Sequence, residues 1–143
     1  MKELRTEIEI HAPAERVWQV LADFPAYPQW NPFIRYVHGE PRQGTTVGSC
    51  AQPSGAKPLT FKATILRAEP GRELCWCGRL PIPGLFAGRH SFLIEPLGPD
   101  RVRFVHREEF TGLLVPLFMR WYLADARRGF TEMNEALKTR AES

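Results

Sequence analysis

Hydrophobic and polar residues alternate with a period of two over residues 4–10, at the start of the chain. Leu4, Thr6, Ile8 and Ile10 share one side of this segment, and charged residues occupy the other side. A period of two is the side-chain period of a β-strand. The pattern therefore predicts a first strand with one face on a core and one face in water.

Helical spacing replaces this alternation after the first strand. Val17, Trp18, Leu21 and Ala22 recur at the interval of a helix, and Pro13 suits a first helical turn. The following stretch, PAYPQWNPF, holds three prolines in nine residues, so only a short, broken helix or turns fit there. Two short helices are therefore predicted after the first strand.

Strand-like segments separated by glycine and proline fill residues 34–111. Their connections are too short for the crossovers that parallel strands need, so the predicted sheet is an antiparallel meander joined by the first strand. The predicted strands span 34–38, 46–52, 59–68, 72–79, 88–96 and 101–111.

A period of 3.6 returns after Gly112 and predicts a final helix of more than about twenty residues, with Pro116 in its first turn. Its apolar stripe needs an apolar surface, and the sheet is the only one available. The predicted fold is α+β, with a curved antiparallel sheet of about seven strands and a long C-terminal helix across it. The stripe comprises Leu114, Leu117, Phe118, Trp121, Tyr122, Phe130, Met133 and Leu137.

Composition narrows the class of protein. The chain of 143 residues is 43% hydrophobic and 24% charged, which is ordinary for one globular domain spanning residues 1–143. A net charge of +3, scattered along the chain, excludes a clustered basic surface for nucleic acid. Apolar runs are too short for stable membrane insertion, and Cys50, Cys75 and Cys77 lack zinc-site spacing, so we expect a cytoplasmic protein with reduced thiols.

Polar side chains interrupt an otherwise apolar face of the predicted sheet. His106 and Glu108 fall on the inward face of the last strand, whereas Glu109 falls among the arginines of the outer face. With residues 98–100 as the hairpin loop, His90 on the preceding strand shares this inward face. The predicted cross-strand pairs are Ile94 with Phe104, Phe92 with His106, and His90 with Glu108.

Three interpretations of the His90, His106 and Glu108 cluster stay open. A carboxyl group beside imidazoles is the smallest unit that moves a proton near neutral pH, so all three residues are catalytic candidates. The same groups also serve as a polar pocket wall that orients a ligand, which is the interpretation we favour, or as a pair that only satisfies itself. No further ligand stands on the neighbouring inward faces, so neither a metal nor another cofactor is predicted.

Three stretches of the chain resemble the superfamily that contains START proteins and the birch pollen allergen, called SRPBCC, and within it the bacterial polyketide cyclase/dehydrase-like proteins. They are EIEIHAPAERVWQVLADFPAYPQWNPFI, ILRAEPGRELCWCGRLPIPGLFAGRHSF and RFVHREEFTGLL. The resemblance implies the helix-grip fold and a cavity, between the sheet and the long helix, for a hydrophobic small molecule. Because relatives include lipid carriers as well as polyketide cyclases, it leaves the activity open.

Since we interpret the polar cluster as a pocket wall, we favour non-catalytic binding of a lipid-like or aromatic, polyketide-like molecule. The alternative is a cyclase/dehydratase that uses His106 or Glu108 as acid or base. The resemblance also implies that the apolar loop around residues 80–88 lies at the cavity mouth, as a lid with Gly84 and Gly88 as hinges. The rival role for this loop is protein interaction, including self-association into a homodimer. The predicted ligand-binding residues are Phe61, Trp76, Phe86, His90, Phe92, Phe104, His106, Glu108, Phe110, Phe118 and Tyr122.

Overall fold

The computed structural model describes residues 2–143 and confirms the predicted α+β fold. The seven strands are β1 Lys2–Ile10, β2 Ile34–His38, β3 Thr46–Ala51, β4 Leu59–Glu69, β5 Glu73–Arg79, β6 Ala87–Gly98 and β7 Arg101–Thr111. The helices are α1 Ala14–Ala22, a 3₁₀ turn Phe24–Ala26, α2 Tyr27–Trp30 and the long α3 Val115–Glu142. The broken helical segment that its prolines predict is thus the 3₁₀ turn followed by one turn of α2.

All seven strands form one antiparallel sheet in the order β1-β7-β6-β5-β4-β3-β2. Strands β2 to β7 follow one another as a meander, and β1 pairs with β7, so the first and last strands of the chain are neighbours. The sheet curls around α3 as a half-barrel, which is the helix-grip arrangement.

The register between β6 and β7 agrees with the prediction from side-chain parity. The hairpin pairs Ile94 with Phe104, Phe92 with His106, and His90 with Glu108. A shift of one residue would have sent the aromatic side chains of one strand to the outer face, so the apolar pattern, together with the hairpin loop near residues 98–100, selected this register.

The two halves of α3 have different surroundings. In the C-terminal half Phe130, Met133 and Leu137 are buried, and Lys138 donates to the carbonyl of Glu9 in β1. Gly129 permits close contact here, because a Cβ at that position would lie 2.3 Å from the ring of Phe33.

The N-terminal half of α3 departs from the predicted stripe. Leu117 is 56% exposed and Trp121 is 78% exposed, so these two apolar residues do not lie on the sheet. Here the stripe borders an open space. Among residues 2–143, no helix combines the length and apolar character needed to cross a membrane.

Candidate functional site

A cavity of about 570 Å³ lies between the N-terminal half of α3 and the inner face of the sheet. This volume is within the range of pockets that hold small organic molecules. Eight of the predicted ligand-binding residues line it. They are Phe61, Trp76, Phe86, His90, Glu108, Phe110, Phe118 and Tyr122.

Two glycines on neighbouring strands create part of this space. Gly78 in β5 lies opposite Gly88 in β6, and both line the cavity. A Cβ at Gly88 would lie 2.6 Å from Oε2 of Glu108, so this glycine provides the room that the carboxyl group occupies. Gly88 is a paired strand residue rather than the loop hinge that the sequence suggested, whereas Gly84 has a positive φ of 85° within the loop.

Three predicted ligand-binding residues lie outside the cavity wall. Phe92, Phe104 and His106 are fully buried, and together with Phe130 they form what we call the filled end of the space under the sheet. The ring of His106 stacks on Phe130 with centroids 3.8 Å apart and an interplanar angle of 11°. The ring of Phe130 in α3 therefore covers His106. Strand parity predicts which face of the sheet His106 lies on, but not that a helix side chain covers it.

The two buried histidines contact each other directly. His90 Nε2 lies 2.6 Å from His106 Nε2. The second ring nitrogen, Nδ1, has a different partner on each histidine. At the cavity, His90 Nδ1 is 3.5 Å from Oε1 of Glu108, whose side chain is 17% exposed. At the filled end, His106 Nδ1 is 2.9 Å from Oδ1 of Asn134.

Asn134 is held by a second polar contact on β1. Its Nδ2 donates to Thr6 Oγ1 over 2.9 Å, and the Thr6 hydroxyl donates to the carbonyl of His106 over 3.3 Å. Thr6 lies opposite His106 in the pairing of β1 with β7. A line of polar groups thus runs from β1 through α3, β7 and β6 to the cavity, and we call it the buried chain: Thr6, Asn134, His106, His90 and Glu108.

Burial shifts the titration of every ionisable group in the buried chain. It lowers the pKa of His106 to about 3, although the hydrogen bond to Asn134 acts in the opposite direction. Burial, with the neighbouring His106, holds the pKa of His90 well below its ordinary value. Burial also raises the pKa of Glu108 to about 8. At neutral pH the three side chains are therefore uncharged.

A neutral Glu108 is a carboxylic acid with one O–H donor that faces an apolar space. It and His90 are the members of the buried chain that line the cavity, so only they can contact a molecule there directly. Tyr122 lies across the cavity on α3, and burial, with the nearby Glu108, raises the pKa of its phenol, which stays protonated. The wall can thus donate hydrogen bonds and deliver a proton from Glu108.

Sequence reasoning did not identify Asn134 as part of this site. Its position was nevertheless informative, because it follows Phe130 by four residues and precedes Leu137 by three, on the buried stripe of α3. A polar residue at that spacing is a candidate partner for a buried polar group on the sheet. Thr6 had the correct inward parity but no assigned role.

The apolar loop between β5 and β6 lies at one side of the cavity mouth. Leu80 and Ile82 are 41% and 62% exposed, while Phe86 turns inward and contacts Phe118 with ring centroids 4.7 Å apart. Backbone hydrogen bonds join the loop to the beginning of α3. Leu113 N donates to Gly84 O over 3.0 Å, and Leu114 N donates to Leu85 O over 2.9 Å.

The cysteines take no part in the buried chain. Cys50 and Cys75 are buried, Cys77 is half-buried, and all three are free thiols. Within residues 2–143 no three His, Cys, Asp or Glu side chains are arranged so that they would hold a metal ion.

Comparison with protein families gives a match over nearly the whole chain. The family model described as polyketide cyclase / dehydrase and lipid transport matches residues 1–142. No curated protein matches at a significant level.

Solved structures with the same fold include characterised and uncharacterised proteins. A START superfamily protein from Mycobacterium smegmatis has a TM-score of 0.74 at 22% identity, over 98% of this chain and 97% of its own. The Zhui aromatase/cyclase from a Streptomyces species has a TM-score of 0.75 at 20% identity, over 99% and 93%. A hypothetical protein from Helicobacter pylori has a TM-score of 0.76 at 19% identity, over 98% and 88%. The family model confirms the predicted resemblance to polyketide cyclase/dehydrase-like proteins, and the solved structures share the fold.

Proposed function

The chain belongs to the polyketide cyclase/dehydrase and lipid transport family, and we propose that it binds a hydrophobic small molecule, aromatic or lipid-like, in the cavity. One observation carries this proposal. The cavity of about 570 Å³ is enclosed largely by aromatic and aliphatic side chains, with few polar groups. Apolar enclosure with a small number of placed polar groups is the usual make-up of a small-molecule site.

The ligand would lie against aromatic rings contributed by both layers of the fold. Phe110 and Phe118 contact each other with centroids 6.0 Å apart, and Phe118 contacts Tyr122 at 4.9 Å. Each apolar group removed from water by such contacts contributes about 25 cal/mol per Å². The free thiols suit a reducing compartment, so we place this binding in the cytoplasm.

Native mass spectrometry of the purified protein, mixed with extracted metabolites, tests the proposal. We expect a defined added mass in the wild type and its loss in Gly78→Val, because the valine Cβ would lie 3.3 Å from the ring of Phe61 and the larger side chain would take up space at the cavity wall. Gly48→Val is the matched control: it makes the same change in β3, where a Cβ has no atom within 4 Å, and it does not line the cavity. An unchanged adduct in Gly78→Val would contradict binding in this cavity.

A cyclase/dehydratase activity is the second candidate. Its support is that Glu108 lines the cavity and that burial raises its pKa to about 8, which suits a general acid at neutral pH. Glu108→Gln separates the two functions. This change keeps the size and the donor of the side chain, so it should leave ligand affinity almost unchanged, yet it should abolish turnover of any substrate that needs the acid. Turnover that survives in this variant would exclude Glu108 as the acid.

A further inference from the structure

The hydrogen bonds of the buried chain have a fixed order of donors and acceptors, which we call its direction. The assignment begins at Thr6. A threonine hydroxyl has one proton, and Thr6 gives it to the carbonyl of His106 over 3.3 Å. Its oxygen therefore accepts from the amide nitrogen of Asn134 at 2.9 Å. This contact orients the amide, so that the oxygen of Asn134 is the atom that faces His106.

The orientation of Asn134 determines which nitrogen of each histidine holds the proton. An amide oxygen only accepts, so His106 Nδ1, 2.9 Å away, is the protonated nitrogen. In a neutral imidazole the other nitrogen is then bare. His106 Nε2 accepts, and the proton in its 2.6 Å contact with His90 belongs to His90 Nε2. The result is a bare Nδ1 on His90, facing the cavity end of the chain.

A bare His90 Nδ1 is incompatible with an ionised Glu108. Two lone pairs would face each other across 3.5 Å in a buried setting. The alternative with equal proton count, imidazolium beside carboxylate, would draw the pair to the 2.7–2.9 Å typical of charge-assisted hydrogen bonds, which is shorter than the observed separation. Glu108 therefore holds its proton, because a protonated carboxyl group can turn its O–H towards Nδ1 and remove this repulsion. The separation of 3.5 Å is longer than a settled hydrogen bond, so the same O–H can turn instead to an acceptor in the cavity.

We propose that Thr6 and Asn134, through the two histidines, keep Glu108 as a neutral hydrogen-bond donor, and that the ligand is an uncharged apolar molecule with an acceptor oxygen such as a ketone carbonyl. The inference rests on the proposed function, because it specifies the ligand of the same cavity. Gly88 supports it, since the missing side chain leaves the Glu108 carboxyl its place in the wall.

Burial, and not a neighbouring charge, keeps Glu108 neutral below about pH 8. His90 faces it from β6, and Tyr122 faces it from α3. Arg79 lies on the same cavity wall from the end of β5 and is exposed to water. Burial raises the pKa of Glu108 to about 8, so ligand preference based on its O–H should decline as the pH rises through that value.

Nuclear magnetic resonance of the histidine rings tests the direction of the chain without a ligand. Long-range proton–nitrogen spectra at pH 7 should show two neutral rings, His106 protonated at Nδ1 and His90 protonated at Nε2. A His90 proton on Nδ1, or a charged His90, would overturn the inference.

A matched pair of probes, fluorenone and fluorene, tests the ligand class. Their skeletons are the same, and only fluorenone has an acceptor oxygen. In Glu108→Met the ratio of fluorenone affinity to fluorene affinity should fall about 3- to 10-fold relative to wild type, the usual worth of one hydrogen bond. In Glu108→Gln, which retains a neutral donor, the ratio should stay close to that of wild type.

An unchanged ratio in Glu108→Met would overturn the inference while the proposed function stands. If neither probe bound to wild type, the proposed function would be contradicted together with the ligand part of this inference, and the histidine spectra would still decide the direction of the chain. Urea unfolding of each variant shows whether it is folded, and Glu108→Gln serves as the conservative replacement.

Discussion

The space between the sheet and α3 is filled at one end and hollow at the other, although β6, β7 and α3 form both. Along the inner face of the β6–β7 hairpin, successive pairs are Gly88 with Phe110, His90 with Glu108, and Phe92 with His106. The first pair borders the cavity, and the last is fully buried. The boundary is the His90–Glu108 pair.

Side-chain size and helix contact account for this difference. Phe130 covers His106 at the filled end, and Gly129 beside it lets α3 approach Phe33. At the hollow end, Gly78 and Gly88 remove volume from the sheet, and Trp121 of α3 is largely exposed. Close packing at the filled end therefore stabilises the fold, whereas the other end leaves room for the cavity. The ionisable His90–Glu108 pair lies where the two ends meet.

The largest expected effect comes from truncating matched phenylalanines of α3 at the two ends. Phe130→Ala should lower the free energy of unfolding by about 3–5 kcal/mol, because it leaves a closed void against His106 and Phe33. Phe118→Ala should cost only about 1 kcal/mol, because its ring already borders an open cavity. Urea titrations measure both, and equal losses would contradict the division into two ends.

The free energy of unfolding should depend on pH, because Glu108 and the two histidines lie where the filled end meets the cavity. Glu108 is protonated in the folded state up to about pH 8 but ionised in the unfolded chain above about 4.5, so folding becomes less favourable as the pH rises between these values. His90 and His106 have lowered pKa values, so together they lose stability as the pH falls below 6.5. Between pH 4.5 and 6.5 the two histidines have a larger effect on stability than the one carboxyl group. The combined contribution of the three groups to stability is therefore greatest near pH 6.5.

From pH 6.5 to 8 the free energy of unfolding should fall by about 1 kcal/mol, because the histidines still offset part of the loss from Glu108 at the lower end of this range. Glu108→Gln removes the group that causes the loss, so its stability should no longer fall over that range and should still decline in acid. Urea unfolding at several pH values measures this, and a wild-type decline that persists in Glu108→Gln would assign the effect to another group.

The smallest effect is expected at Trp121, which lies beside the cavity on the N-terminal half of α3. Trp121→Gln should change the free energy of unfolding by less than about 0.5 kcal/mol, since the side chain is 78% exposed. Large aromatic residues on a helix normally contribute several kcal/mol when buried, so this comparison tests whether the predicted stripe of α3 really leaves the sheet. Thermal melts would detect a loss above about 2 kcal/mol, which would indicate that Trp121 is buried in solution.

The fold and the β6–β7 register were predictable because both follow from local patterns. Alternation of apolar residues selects the face of a strand, and the short loop around residues 98–100 selects its partner. The same logic correctly put His90, His106 and Glu108 on one inner face.

The hollow and filled ends were not predictable from strand parity. Parity does not report where a helix approaches a sheet, so His106 was expected on the cavity wall although Phe130 covers it. The roles of Thr6 and Asn134 depend on contacts between residues 128 positions apart, which no local pattern encodes. Gly78 and Gly88 matter through the atoms they lack, and a pattern of hydrophobic side chains does not register such positions.

The hydrogen bonds between the loop and α3 make the opening of the cavity mouth measurable by amide hydrogen exchange. The amide protons of Leu113 and Leu114 are held by the carbonyls of Gly84 and Leu85. Those protons can exchange with deuterium from the solvent only when the loop and the helix separate. The exchange rates at these two amides therefore count how often the mouth opens, and a bound molecule that holds the mouth shut would slow both together.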